Sequence, residues 1–222
     1  RPGGPGAEVR CELMELFCYR ASSYRTPVRS RRHGPESAGR YHQPGSPATQ
    51  YFSLHPLGPW AEVIRNQRCE TVEDALETRI AIWAIRLVLS TRPATIDFAA
   101  ADAGETLLPV APRDLTDDHP TICRALAQAH REERPAAKVL RVPSAALPGT
   151  ENIVILGGRR MIEYTIEPIR PIHIPAAIAA ADARPPRDLF RLVRRRGTPD
   201  PAYDAWRGGE DHAVPEIDTA NL

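Results

Sequence analysis

The 222 residues suffice for one domain with a real hydrophobic core and are short for two. A content of 42% hydrophobic and 26% charged residues argues against wholesale disorder, and a net charge of +1 argues against a protein built to coat DNA. All but one of the 29 basic residues are arginine, the exception being Lys138; a GC-rich genome is the simplest cause, yet the outcome is a chain rich in planar forks that grip phosphate in bidentate fashion.

In chain order, "ELFCYRA" predicts a short apolar strand that ends at Tyr19 and Arg20. The polar stretch that follows carries Arg25, Arg29, Arg31 and Arg32 against a single acid, Glu36, before Arg40 closes it. Pro44, Gly45 and Pro47 make a turn, and "ATQYFSLH" reads as the next strand. Pro56, Gly58 and Pro59 end that strand, and Pro59 suits the first turn of a helix, "PWAEVIRNQ". Glu62 falls near the start of that helix, where the dipole favours a carboxylate.

"VEDALETRIAIWAIRLVLS" reads first as an amphipathic helix, although its β-branched second half also suits a strand. "ATIDFA" reads as a strand, and "HPTICRALAQAHREER" as a helix stopped by Pro135. From residue 136 the pattern is a strand into Pro143 and Ser144, a loop, a buried strand at 152–156, a hairpin turn at Gly157-Gly158 and a returning strand. "DLFRLVRRRG" predicts a last helix, and the polar, Pro/Gly-rich residues after about 197 a loosely held tail. Strands and helices of mixed order in one domain predict an α+β fold. Residues 1–13 are set aside as a non-native or disordered leader, residues 14–185 form the expected main domain, and 186–222 the C-terminal helix and tail.

Arg86 interrupts the longest apolar run, so no segment approaches the ~20 residues needed to cross a bilayer. The chain opens with no apolar signal core, and Met14 begins a plausible strand. The cysteines at 11, 18, 69 and 123 form no C-x-x-C pair, which favours reduced thiols and the cytoplasm. The seven histidines make no H-E-x-x-H motif and no close pair with cysteine, so a zinc site is not expected.

Taken singly, the remaining signals are weak. They are Tyr19-Arg20, "GRYHQPG" at 39–45, Tyr51-Phe-Ser53, "WAE" ending at Glu62, and "VPSAALPGTENIVIL" at 142–156. In this order they resemble the RES-domain family of bacterial toxins, named for its signature Arg, Glu and Ser. The resemblance covers about residues 14–165. It departs at Tyr41, which stands where the family has tryptophan, and at His42, where asparagine is usual. Tyr24-Arg25 competes with Tyr19-Arg20 for the first arginine; Arg20 is preferred for its place at a strand end and its spacing to Arg40.

The resemblance implies an ADP-ribosyltransferase-like fold, with a mixed, split sheet flanked by helices, and an enzyme that cuts the nicotinamide–ribose bond of NAD+. NAD+ would be substrate rather than cofactor, with inorganic phosphate or water as acceptor. It further implies catalytic roles for Arg20, Arg40, Glu62 and Ser144, a cognate protein antitoxin, and substrate contacts from Tyr19, Tyr41, Tyr51, Ser53 and Asn152. These residue types suit the chemistry. Arginines hold pyrophosphate and phosphate together, and a carboxylate stabilises the oxocarbenium-like ribose left by neutral nicotinamide. Ser144 would orient substrate rather than attack, since no histidine sits in a motif that would activate it. Tyr41 and Tyr51 are candidates for stacking on nicotinamide or for the core. Asn152 would brace the Ser144 loop or simply sit at a strand edge.

Two rivals remain: an ADP-ribosyltransferase acting on a protein target, and a non-catalytic domain using "RLVRRR" at 191–196 to bind a partner or RNA. For that arginine run a solvated helix face is the simpler reading, so direct nucleic-acid binding is not expected. A homo-oligomer is left open.

Overall fold

The computed structural model describes residues 14–23, 38–77, 80–89, 94–96, 98, 110–133, 139–157, 164–168 and 185–217. The alternative arginine Arg25 and the segment around Glu36 lie outside the described residues, as does Gly158.

Seven strands form one sheet: β1 Met14–Ser23, β2 Thr49–Ser53, β3 Ile80–Leu89, β4 Ala94–Thr95, β5 Val139–Pro143, β6 Glu151–Leu156 and β7 Tyr164–Pro168. Their spatial order is β4-β5-β6-β2-β1-β3-β7. Only β4 and β5 pair in parallel, and the other pairs are antiparallel. β1 and β3 match along their whole length, from Met14 opposite Leu89 to Ser23 opposite Ile80. By contrast β1 meets β2 at one register pair among the described residues, Tyr19 opposite Ser53. The sheet is thus two well-paired halves joined at a narrow seam, which is the split expected of this α+β fold.

Helices α1 (Gly58–Gln67), α2 (Val72–Glu77), α3 (Thr121–Glu133), α4 (Leu189–Leu192) and α5 (Pro201–Arg207) accompany the sheet, with a 3-10 turn at Pro112–Leu115. Alternation along β6 buries it on both faces. Val154 and Leu156 pack with Leu140 and Val142 beneath Cys123, Leu126 and Ala127 of α3. Ile153 and Ile155 face the other way, with Cys18, Phe52, Ile85, Leu87 and Leu89. A third cluster sets Trp60, Ala61 and Ile64 of α1 against Ile80, Ala146, Leu147, Leu189 and Val193. Each such Leu or Ile contributes about 1.5–3 kcal/mol by burial, so α1 and α3 are fixed firmly on the face where the candidate residues lie.

Several expectations need correction. Residues 72–90 are not one helix. α2 ends at Glu77, and the β-branched run becomes β3, held by pairing on both sides. Among the described residues, the strand expected at 94–99 pairs over Ala94–Thr95. The strand expected to return along β6 after Gly157 does not do so among the described residues: β2, β1 and β3 lie between β6 and β7, and β7 pairs with β3. The antiparallel partner next to β6 in sequence is β5, reached through the Ser144 loop. The helix predicted over 188–197 is one turn, ended by an extended Val193. The expected loose tail carries α5, whose N-terminus is capped by Asp200 accepting from the Ala202 amide, with a proline in the first turn. Tyr203 and Trp206 of α5 stack with ring centroids 5.7 Å apart and pack against Phe98. Among the described residues no helix is long and apolar enough to cross a membrane.

Candidate active site

The seam between β1 and β2 lines up several candidates. Tyr19 is opposite Ser53, and Ser53 is opposite Asn152 on β6, so the three stand side by side on one face of the sheet. Tyr51, two residues before Ser53, shares that face. The Ser53 hydroxyl accepts from the His55 amide at 3.2 Å and turns the chain into α1. Gly58 opens that helix directly over Ser53, so a Cβ there would come within 1.8 Å of Oγ.

The Gly39-Arg40-Tyr41-His42 turn lies beside Tyr51. The Gly39 amide donates to the His42 carbonyl at 3.0 Å, and a Cβ on Gly39 would strike the His42 ring at 2.3 Å, so glycine is required. α3 holds the turn from outside: Arg124 donates to the Gly39 carbonyl at 2.8 Å, and Arg131 to the Tyr41 carbonyl at 3.0 Å and to Thr49 at 2.8 Å. The Tyr51 hydroxyl accepts from the Tyr41 amide at 2.9 Å and meets His42 Nδ1 at 2.9 Å. Burial pushes the Tyr51 phenol well above its usual range; the Tyr41 amide and Arg131 pull it down, Glu62 pushes it up and Arg40 pulls it down.

Arg40 is anchored by Nη1, which donates to the Asp117 carbonyl at 2.7 Å and reaches that of Leu115 at 3.5 Å. Glu62 is half-buried, and its carboxylate accepts from Asn66 one turn on, at 3.2 Å. Because α1 begins at Gly58, Glu62 sits in the second turn, and no acidic residue occupies the first. The helix-dipole role expected for it is correspondingly weak.

Ser144 is 2% exposed and works within its own loop: Oγ accepts from the amides of Ala146 at 3.3 Å and Leu147 at 3.1 Å. Both lone pairs are so engaged, and what the hydroxyl has left to offer is its proton. The loop tip, Gly149, is covered by the extended C-terminal segment around His212 and Val214.

Two candidates are placed otherwise than expected. Tyr41 is 1% exposed and belongs to the core under α3, so its ring has no open face for a ligand. Its hydroxyl is buried without a hydrogen bond of good geometry, and burial, then Cys123, pushes its phenol well up. Tyr41→Phe removes that orphan and is expected to leave stability unchanged or raise it by about 1 kcal/mol, with no change in ligand affinity. A denaturant melt and a binding titration check this, and a loss of affinity would show that Tyr41 reaches ligand. Arg20 alternates to the other face from Tyr19. Its guanidinium lies 5.4 Å from the centre of the Phe52 ring, and Nη1 donates to Gln50 at 3.0 Å. The structure does not bring it to Arg40 and Glu62; it ties β1 to β2 behind the seam.

The sequence reading missed a buried charge network. Arg65, one turn beyond Glu62, is 4% exposed and pairs with Asp118, which also accepts from the Gly197 amide and lies 3.6 Å from Arg194. An arginine inside the apolar stripe of Trp60, Ala61 and Ile64 was the available signal. In the "RLVRRR" run Arg191 and Arg196 are exposed, as expected of a solvated face, but Arg194 and Arg195 are drawn inward. Arg194 donates to the Thr116 carbonyl, Arg195 to that of Cys69, and Arg196 to Asn66. Burial lowers the Arg65 pKa, as does Arg194, while Asp118 raises it and Arg40 lowers it.

Burial pushes the Asp118 carboxyl up, but the Gly197 amide and the Arg65 and Arg194 guanidiniums together hold it below the ordinary carboxylate range. A depressed folded value stabilises the protein fully above the unfolded value of about 3.9 and loses that stabilisation as pH falls through the folded one. The thermal midpoints of wild type and Asp118→Asn, apart at pH 7, are therefore expected to converge as pH falls below the ordinary carboxylate range. A constant gap across that range would show that the charge of Asp118 stabilises nothing.

Among the described residues no cluster of His, Cys, Asp and Glu could hold a metal ion. Burial pushes the Cys18 thiol up to about 12, with a smaller opposing pull from Arg20, so it is no nucleophile at neutral pH.

An α+β fold with a split sheet, carrying an arginine, a glutamate and a serine loop about its seam, defines a protein similar to RES-domain toxins. Comparison bears that likeness out. Over 131 residues the chain is 30% identical to a Mycobacterium tuberculosis protein named "Probable NAD(+) phosphorylase Rv3189", a match covering 59% of each, so the chain spans about 59% of that relative's length. In fold it matches a chain of the M. tuberculosis MbcT-MbcA toxin-antitoxin complex, with a TM-score of 0.54 and 18% identity over 69% of this chain and 82% of the other. No sequence profile of a known family matches it.

Proposed function

We propose that the protein degrades NAD+ as the toxin of a toxin–antitoxin pair, with phosphate as the acceptor. The observation that carries this reading is the seating of α1, the helix of Glu62, on Ser53 beside Tyr19 and Asn152 at the seam, in a chain 30% identical to a protein named a probable NAD(+) phosphorylase. The bond between ribose C1 and the nicotinamide nitrogen breaks, its electron pair leaving with nicotinamide. A phosphate oxygen then bonds to C1, giving ADP-ribose 1″-phosphate; water in its place gives ADP-ribose.

Glu62 supplies the negative charge that the oxocarbenium-like ribose needs, and hydrogen-bonds a ribose hydroxyl. Arg40, with Nη1 anchored, presents the rest of its fork to the pyrophosphate or the incoming phosphate. Tyr19, Tyr51 and Asn152 form the floor beneath the nicotinamide ribose, Ser53 seats α1 at its edge under Gly58, and the Ser144 proton orients the substrate. Arg20 supports this floor from the opposite face. The fold shared with a chain of a toxin–antitoxin complex supports a protein antitoxin as partner, one that closes the approach to the seam.

The test is NAD+ consumption by the purified protein with and without phosphate, with product identification. Loss accelerated by phosphate, with a phosphorylated ADP-ribose product, is expected. Loss indifferent to phosphate points to hydrolysis, label appearing on protein points to ADP-ribosyl transfer, and absence of both overturns the reading.

A further inference from the structure

We infer that Asp118 is a positioning residue that sets the spacing of Glu62, Arg40 and the Ser144 loop, through the two buried arginines that converge on it. The inference rests on the reading above for what these groups do, and on geometry alone for how they are held.

The short segment Leu115–Asp118 is where the three parts of the site meet. On one side the carbonyls of Leu115 and Asp117 receive Arg40. On the other the Asp118 carboxylate receives Arg65, which lies three residues after Glu62 and so on the same side of α1. The second nitrogen of Arg65 donates to the Arg194 carbonyl at 2.6 Å. Arg194 returns to the segment through the Thr116 carbonyl and stands 3.6 Å from Asp118. The Arg194 amide donates to the Ala146 carbonyl at 3.0 Å, and the Ala146 amide donates to Ser144 Oγ at 3.3 Å. A continuous set of hydrogen bonds therefore runs from Glu62's helix, through Asp118 and Arg194, to Ser144, and through the backbone of 115–117 to Arg40.

Electrostatics explains why a carboxylate must sit at the centre. The side chains of Arg65 and Arg194 are 3% and 8% exposed, and Arg40 is near enough to act on Arg65 as well. Asp118 is the acid among them. Without its charge two buried guanidiniums face each other, and their repulsion strains the turn of α1 that carries both Arg65 and Glu62. No part of Asp118 is assigned to substrate. It acts through α1 and the loops.

The experiment is steady-state NAD+ turnover of Asp118→Asn, alone and combined with Glu62→Gln. A displacement of the order of 1 Å costs about 100-fold, so kcat is expected to fall about 100-fold with KM changed by less than about 3-fold. On the Glu62→Gln background the same substitution is expected to cost clearly less than on wild type, since one of the groups it positions is already gone. Equal losses on both backgrounds, tracking the unfolded fraction, would overturn the inference. Hydrogen exchange gives a readout free of catalysis: amides of 62–67 and 115–118 should lose protection in Asp118→Asn while β6 keeps it, and unchanged exchange in α1 overturns the inference. A wild-type protein that consumes no NAD+ sinks the functional reading, and the exchange measurement then decides the positioning role by itself. Should Asp118→Asn not fold, Asp118→Glu keeps the charge at altered reach and is judged by the same criteria.

Discussion

Glu62→Gln is expected to lower NAD+ turnover about 10³-fold while leaving the thermal midpoint within about 2 °C of wild type. The two halves of this result have separate causes. Structurally Glu62 has little to lose: it is half-buried, its carboxylate accepts from Asn66 at 3.2 Å, and glutamine keeps an oxygen for that bond. It also lies past the first turn of α1, where the helix dipole no longer rewards a charge. Chemically it has everything to lose. Departure of neutral nicotinamide leaves positive charge on the ribose, and a carboxylate beside it stabilises that charge far more than an amide does. A 10³-fold loss corresponds to about 4 kcal/mol of transition-state stabilisation. Because that charge develops only as the bond breaks, the loss should fall on kcat, with KM little changed. A variant with near-normal kcat and a raised KM would instead make Glu62 a simple ribose contact.

How far the molecule was legible depends on what each residue's signal measures. The order Arg40, Tyr51, Ser53, Glu62 and Ser144 was readable because each lies in a punctuated stretch, where proline and glycine mark the turns that bring it to the seam. The strand β3 was ambiguous because a continuous apolar run looks alike in a buried helix and in a strand paired on both sides. The Gly157 turn misled for a different reason. Local turn chemistry reports a chain reversal, not which strand becomes the partner, and β7 pairs with β3 at the far side of the sheet. Arg20 shows the limit of motif spacing: a one-residue step along a strand changes the face, and Tyr19 and Arg20 point opposite ways. The Arg65–Asp118–Arg194 network spans more than a hundred residues of sequence and leaves no periodic trace. The helix at 201–207 could have been found, since Asp200 followed by Pro201 is a helix start.

Gly58→Ala is expected to destabilise the protein by about 3 kcal/mol, or roughly 10 °C in thermal midpoint, and to depress turnover in the molecules that remain folded. Glycine to alanine in a helix ordinarily stabilises by up to about 1 kcal/mol, so the sign itself is diagnostic. Gly58 has helical backbone with no positive φ, and nothing in its own conformation demands glycine. The demand comes from the sheet: an added Cβ would stand 1.8 Å from Ser53 Oγ and 2.6 Å from Ser53 Cβ. Ser53 is 5% exposed and fixed by pairing on both sides, at Tyr19 and Asn152, so it cannot withdraw. The helix must lift instead, and Glu62, one turn further on, lifts with it. The suppressor follows from the same distances. Ser53→Ala leaves the 2.6 Å contact and should rescue little, whereas Ser53→Gly leaves only the Cα at 4.0 Å, an ordinary contact, and should restore most of the stability of Gly58→Ala. Its shortfall should be about 1 kcal/mol, the worth of the lost hydrogen bond from the His55 amide. Chemical denaturation of the single and double variants measures all three values. If Ser53→Ala rescued as well as Ser53→Gly, the seam would be yielding rather than rigid, and the close seating of α1 on β2 would no longer explain how Glu62 is held over the floor of the site.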